Sequence, residues 1–150
     1  MIAVWVALEN EAPVLNPDAG DSVELVCQWG SAQDLPEELL STVPGATLTP
    51  IAGGVYLASS DTDRFHAIAL GERSEYLAED FFPGVAYQDR YLPELVSVAP
   101  TLSGLVVGRC TLWRRQRGYS EGPRLLVQQS GAPAPPNYVA PQAMIRVDLT

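Results

Sequence analysis

The residues of this sequence best suited to chemistry form one short cluster of three guanidinium groups and a phenol. They are Arg114, Arg115, Arg117 and Tyr119. A guanidinium group binds a carboxylate or a phosphate through two parallel hydrogen bonds, and an aromatic ring stacks on planar groups. Residues 105–113 and 124–129 have the composition of β-strands. We therefore predict a β-hairpin whose tip presents the cluster to a binding partner.

Charge is distributed unevenly along the chain, which limits what this cluster can bind. Residues 1–63 contain ten carboxylates and no arginine, whereas residues 109–150 contain six arginines and two carboxylates. The net charge of −9 repels polyanions, so we expect no general affinity for nucleic acid or anionic membranes. The cluster is expected to pair with the acidic half of its own molecule or with an acidic face of another protein subunit.

Several enzyme classes depend on residues that this chain lacks. Lysine is absent, which excludes a Walker A loop and a pyridoxal phosphate Schiff base. His66 is the only histidine, and no G-x-S-x-G motif accompanies it. It falls in a predicted strand on the face shared with Ile68 and Leu70, so we predict a structural role for it. We expect a protein that is not an enzyme and uses no cofactor.

Two other patterns resemble reactive sites only in part. Asp61 and Asp63 are spaced like the first ligands of a calcium loop, but the oxygen ligands and the glycine that should follow are missing. We predict a solvated turn there and no metal site. Cys27 and Cys110 lie in apolar runs and form no C-x-x-C pair, which predicts two buried free thiols, with a bridge between strands as the alternative.

Alternation of apolar and polar residues predicts that most regular structure is β. It is clearest at residues 22–29 and 143–149, and residues 2–8 are apolar on both faces, as in a central strand. Further strands are expected at residues 46–51, 55–59, 65–70 and 95–99. Gly53 and Gly54, with the acidic turn at residues 61–63, predict an antiparallel meander over residues 46–70.

The amino-terminal run and two helix patterns complete the expected elements. Residues 1–8 carry no charged leader and are followed by Glu9, so we expect a strand and neither a signal peptide nor a membrane span. Short helices are predicted over residues 35–43 and 75–82, each begun by a capping side chain and ended by Pro-Gly.

Residues 130–142 form the one segment of biased composition. It contains four prolines, so we expect an extended crossing connection that stays out of the interior of a sheet. No domain linker is evident, and the chain of 150 residues is predicted to be a single domain.

Aromatic residues are concentrated in a second segment. The candidate partner-binding aromatics are Phe81, Phe82, Tyr87 and Tyr91. An irregular segment rich in aromatics is typical of interface anchors, although such side chains also fill the core of their own domain.

We predict a mainly β fold, an antiparallel sandwich or barrel-like domain with one or two short helices in its connections. The expected function is non-enzymatic: a structural or assembly protein that packs against copies of itself or another subunit. Accessory proteins that decorate viral capsids or associate with tails share these properties by analogy of fold class. We expect cytoplasmic synthesis, with the virion as location if that analogy holds. The alternative is a β module that captures an anionic ligand or nucleic acid at the arginine tip.

Overall fold

Nine β-strands form within the part of the chain that this computed structural model describes, residues 1–9, 17–31, 35–70, 84–89, 91–92 and 101–150. They are β1 (Ala3–Ala7), β2 (Ser22–Ser31), β3 (Thr47–Ala52), β4 (Val55–Ser59), β5 (His66–Leu70), β6 (Gly84–Gln88), β7 (Thr101–Arg115), β8 (Leu125–Gln129) and β9 (Tyr138–Asp148). No helix among the described residues is long and apolar enough to cross a membrane.

Five of these strands close into a barrel in the order β2, β6, β1, β9 and β7, because β7 also pairs with β2. The remaining strands extend the sheet outward, β5, β4 and β3 from β2, and β8 from β7. The predicted mainly β, barrel-like fold is therefore confirmed. The antiparallel meander expected over residues 46–70 is present as β3, β4 and β5.

Two long strands, β2 and β7, make this arrangement possible, because each pairs with two different strands along the same edge. Residues 22–26 of β2 pair with β7, and its Gln28 and Trp29 pair with β5. In the same way, residues 101–105 of β7 pair with β2, and residues 110–114 pair with β8. The barrel and the outer strands consequently share backbone hydrogen bonds at β2 and β7.

The barrel is filled with apolar side chains, as its small number of strands requires. Its core cluster includes Val4, Val6, Val23, Leu25, Cys27, Leu102, Val106, Ile145 and Val147, together with Phe65 and Trp29. The Phe65 and Trp29 rings meet edge to face, with their centroids 5.5 Å apart and their planes at 87°. Edge-to-face contact is a favoured geometry for an aromatic pair, so Phe65, the residue just before β5, anchors the start of that strand to the barrel core.

A β-bulge in β7 changes which face of that strand is buried in the barrel. Val106 pairs with Val147, but the next registered pair joins Gly108 to Arg146, so Val107 is the additional residue. Alternate residues before the bulge face the barrel core, whereas Cys110 and Leu112 after it belong to a second cluster. We call this second set the outer-face cluster: Ala7, Leu39, Val85, Cys110, Leu112 and Met144.

The helix predicted over residues 35–43 is wrong. Only Glu37–Leu39 form a turn of 3-10 helix, and Ser41 then joins an antiparallel bridge with Gly84. The Ser41 N–H donates to the Gly84 carbonyl at 2.9 Å, and the Gly84 N–H donates back at 3.0 Å. These bonds hold the backbone extended where a helix would continue. The helix predicted over residues 75–82 and the strand predicted at residues 95–99 lie outside the described residues.

The proline-containing segment divides into two parts. Residues 130–137 connect β8 to β9, which lie on opposite sides of β7. Residues 138–142 are already part of β9, where they pair with β7. A bulge places Ala140 at φ 54° near Pro141, which has no N–H to give to a ladder. A proline thus enters a strand at the point where the ladder is interrupted.

Candidate functional site

The arginine cluster lies at the turn of the β7–β8 hairpin, as the sequence suggests. β7 runs to Arg115, whose N–H donates to the Arg124 carbonyl at 2.8 Å and closes the ladder. Residues 116–124 form the turn, in which Gly118 takes a φ of +96° that a side chain would disfavour. Hairpin pairing therefore brings Arg124 next to the three arginines recognised in the sequence.

Side-chain hydrogen bonds give this turn a defined shape. Arg115 donates through Nη1 to the carbonyl oxygens of Gly122 at 2.6 Å and Ser120 at 3.4 Å. The Tyr138 hydroxyl, at the start of β9, donates to the Pro123 carbonyl at 2.7 Å. The turn is thus stabilised by hydrogen bonds from Arg115, which belongs to the hairpin itself, and from Tyr138, which belongs to β9.

Beside this turn lies a concave pocket with a volume of about 630 Å³ that is open to solvent. We call it the arginine site. It is lined by Arg114, Arg115, Gln116, Arg117, Gly118, Tyr119, Arg124 and Val139. The exposed fractions of Tyr119 and Val139 are 48% and 42%. Among the described residues that line it, four are arginines and none carries a carboxylate.

The expected pairing with the acidic half of the same molecule occurs elsewhere on β7. Arg109 contacts Asp18 with an Nη1–Oδ1 distance of 2.6 Å. Within the described part of the chain, Arg114 and Arg117 make neither an ion pair nor a side-chain hydrogen bond. Of the arginine site, these two exposed guanidinium groups are the ones most available to a partner.

Tyr87 and Tyr91, two of the aromatics predicted to share in partner binding, do not line this site. Tyr87 lies on β6, which is separated from β7 by β2 on one side of the barrel and by β1 and β9 on the other. Tyr87 and Tyr91 are exposed by 38% and 51%, and partial burial raises the pKa of Tyr87. Phe81 and Phe82 lie outside the described residues. Of the predicted aromatics that are described, Tyr119 is therefore the one that lies with the arginines.

The other candidate reactive groups are dispersed over the fold. His66 is half-buried at the start of β5, opposite Ser59 on β4. Asp61 and Asp63 are exposed in the turn before it. No group of three metal-binding side chains occurs among residues that the structure describes.

Both cysteines are buried and free, as predicted. Cys27 faces the barrel core, whereas Cys110 belongs to the outer-face cluster on the other side of the sheet. Burial raises the pKa of both thiols, that of Cys110 to about 11, and the nearby Glu38 carboxylate adds to the effect at Cys110. Neither thiol is therefore activated as a nucleophile.

We expect a thiol-reactive dye to label neither cysteine in the folded protein at about pH 8, because labelling requires an accessible thiolate. Unfolded thiols ionise near 9.0, so folding stability linked to Cys110 is complete below that pH and is lost as the pH rises towards about 11. Labelling rates measured against pH and urea, with Cys110→Ser to assign the signal, test this. Fast labelling of Cys110 without unfolding would contradict it.

Four residues of the arginine site were not singled out from the sequence. Arg124, Gln116 and Gly118 were detectable in principle, because a hairpin with strands at these positions places all three in or beside its turn. Val139 comes from β9, across a connection whose course no local pattern reveals.

Comparison of the chain with protein-family models, with curated protein sequences and with solved structures gave no match in any of the three.

Proposed function

We propose that this protein is a non-catalytic assembly protein that docks on an acidic surface of another protein subunit through the arginine site. The observation that supports it is the group of four guanidiniums at a hairpin end, with Arg114 and Arg117 exposed and unpaired within the described chain. In a chain of net charge −9, a local cationic surface of this kind selects for negatively charged partners.

Carboxylates suit this site for a geometric reason. Arg115 is held by carbonyls of the turn, so its neighbours Arg114 and Arg117 project from a backbone of fixed shape. Bidentate guanidinium–carboxylate contacts from such positions fix orientation as well as adding affinity. Tyr119 supplies an exposed ring beside them, a residue type enriched at protein interfaces.

A second candidate is favoured by the concavity itself. Its volume falls within the range of about 300–1,000 Å³ typical of small-molecule sites, and its lining of guanidiniums matches a phosphate-bearing anion. Under this alternative the protein is a β module that captures an anionic ligand in the same place.

The proposal is tested with poly-L-glutamate as the acidic probe, by biosensor at about 0.05 M and about 0.5 M salt. The double variant Arg114→Ser, Arg117→Ser is expected to weaken binding by about tenfold or more at low salt. The control, Arg64→Ser with Arg146→Ser, makes the same change in net charge away from the site. We expect it to weaken binding by about twofold at most.

The outcomes separate the candidates. Equal losses in both double variants would show that binding follows net charge and would reject a specific site. A thermal shift with inorganic pyrophosphate that depends on Arg114 and Arg117, without binding of poly-L-glutamate, would favour the small anion. Selective binding of a single-stranded oligonucleotide would contradict a protein partner.

A further inference from the structure

The outer edge of β8 carries backbone groups that no described strand pairs. Among the described strands, β8 is the last of the sheet on its side and is bonded to β7 alone. Since the Arg115 N–H donates to the Arg124 carbonyl, alternate residues from Arg124 onward face β7. The N–H and C=O groups of Leu125 and Val127, and the N–H of Gln129, therefore point to the open side.

This edge differs from the other end of the sheet. β3 contains Pro50 and a register shift just after it, both of which discourage a further strand. β8 has the sequence Leu-Leu-Val-Gln-Gln, with no proline, glycine or charge and a regular register. Uncharged, regular edges of this kind are templates for strand addition.

We propose that β8 pairs with β8 of a second copy of this chain, antiparallel, about a two-fold axis at Val127. In this register Val127 exchanges both backbone hydrogen bonds with its counterpart, and Leu125 lies opposite Gln129. The Gln129 carbonyl already accepts from the Ala132 N–H at 3.1 Å, so the turn that follows marks the end of the ladder. The open N–H and C=O groups of Val127 thus match those of the symmetry copy, and the open Leu125 carbonyl meets the open Gln129 N–H of the other copy.

Side chains support the same occupant. Leu125 and Val127 are half-buried against the outer-face cluster, and pairing would continue this apolar surface into the second copy. Charge does not oppose it: Arg124 of one copy would lie opposite Ser130 of the other. The two Arg124 residues would then be six residues apart, about 20 Å, well beyond the screening length of about 8 Å at physiological salt.

The first test uses the unmodified protein. Sedimentation between about 1 μM and about 1 mM should show a shift from monomer to dimer. In parallel, hydrogen exchange at the Val127 amide should slow as dimer forms, whereas Leu126 and Gln128, bonded to β7, should be protected throughout. A monomer at every concentration with an unprotected Val127 amide would overturn the proposal.

The second test replaces Val127 with proline, which removes the outward N–H without touching an inward one. It should abolish the dimer, whereas Val127→Thr, which keeps the N–H, should retain it. A dimer that survives Val127→Pro in folded protein would refute this interface. The inference is independent of the arginine site: the double variant Arg114→Ser, Arg117→Ser should still dimerise, and Val127→Pro should still bind poly-L-glutamate.

Discussion

Replacing Phe65 with alanine is expected to lower the free energy of unfolding by about 3–5 kcal/mol. The ring is fully buried and packs edge to face on Trp29, so its loss removes apolar burial and leaves a cavity beside the barrel. Domains of this kind are stabilised by about 5–15 kcal/mol in total, so the variant would be near its limit. Urea denaturation followed by tryptophan fluorescence measures the change.

Leu105→Ala is the matched control for Phe65→Ala. Leu105 is also a large apolar residue in a regular element, but it is 46% exposed. We expect a loss of no more than about 1 kcal/mol there. A Phe65→Ala variant as stable as the control would mean that the β5 strand does not pack on the barrel as described.

Gly104→Ala is expected to destabilise the fold by about 1–3 kcal/mol or more, although it adds a single methyl group. Gly104 pairs with Val23 of β2, and the next residue of β7 pairs with Asp148 of β9 on the opposite edge. A Cβ added at Gly104 would overlap the carbonyl oxygen of Asp148. The obstacle is backbone, which cannot rotate away like a side chain. Closing the barrel requires this close approach, so the strands would have to separate.

The control for this variant is Gly53→Ala, at a turn glycine whose added Cβ would meet no atom within 4 Å. Its effect should stay within about 0.5 kcal/mol, since no contact is strained. Thermal unfolding of the two variants compares them directly. Equal stability of Gly104→Ala and the unmodified protein would contradict the described register of β7 and β9.

Local alternation was sufficient to predict most strands. The run predicted at residues 55–59 is β4 itself, and that at 22–29 is β2 shortened by two residues at its end. β6 was not predicted, because Gly-Val-Ala-Tyr-Gln is too short and too mixed to show a period. The helix predicted over residues 35–43 failed because a bridge to Gly84, distant in sequence, overrides the local preference.

What the sequence could not reveal is how the strands meet. The bulge at Val107 changes which face of β7 enters the barrel core. In the sequence, this change appears only as a run with apolar residues on both faces, which resembles a central strand. The arginine site likewise contains residues that local sequence predicts and residues that it does not. Its hairpin residues follow from neighbouring sequence, whereas Val139 and the brace from Tyr138 depend on β9 crossing over to the far side of β7.

The position of β9 has a kinetic consequence. It lies between β1 and β7, with Ala3 paired to Asp148, so the contact that completes the barrel joins residues almost a full chain length apart. Bringing such distant segments together costs entropy before any hydrogen bond forms, and proteins dominated by distant pairings fold in milliseconds to seconds. The β3–β5 meander, built from adjacent segments, is free to form early. We expect the rate-limiting step of folding to be the pairing of β9 with both β1 and β7.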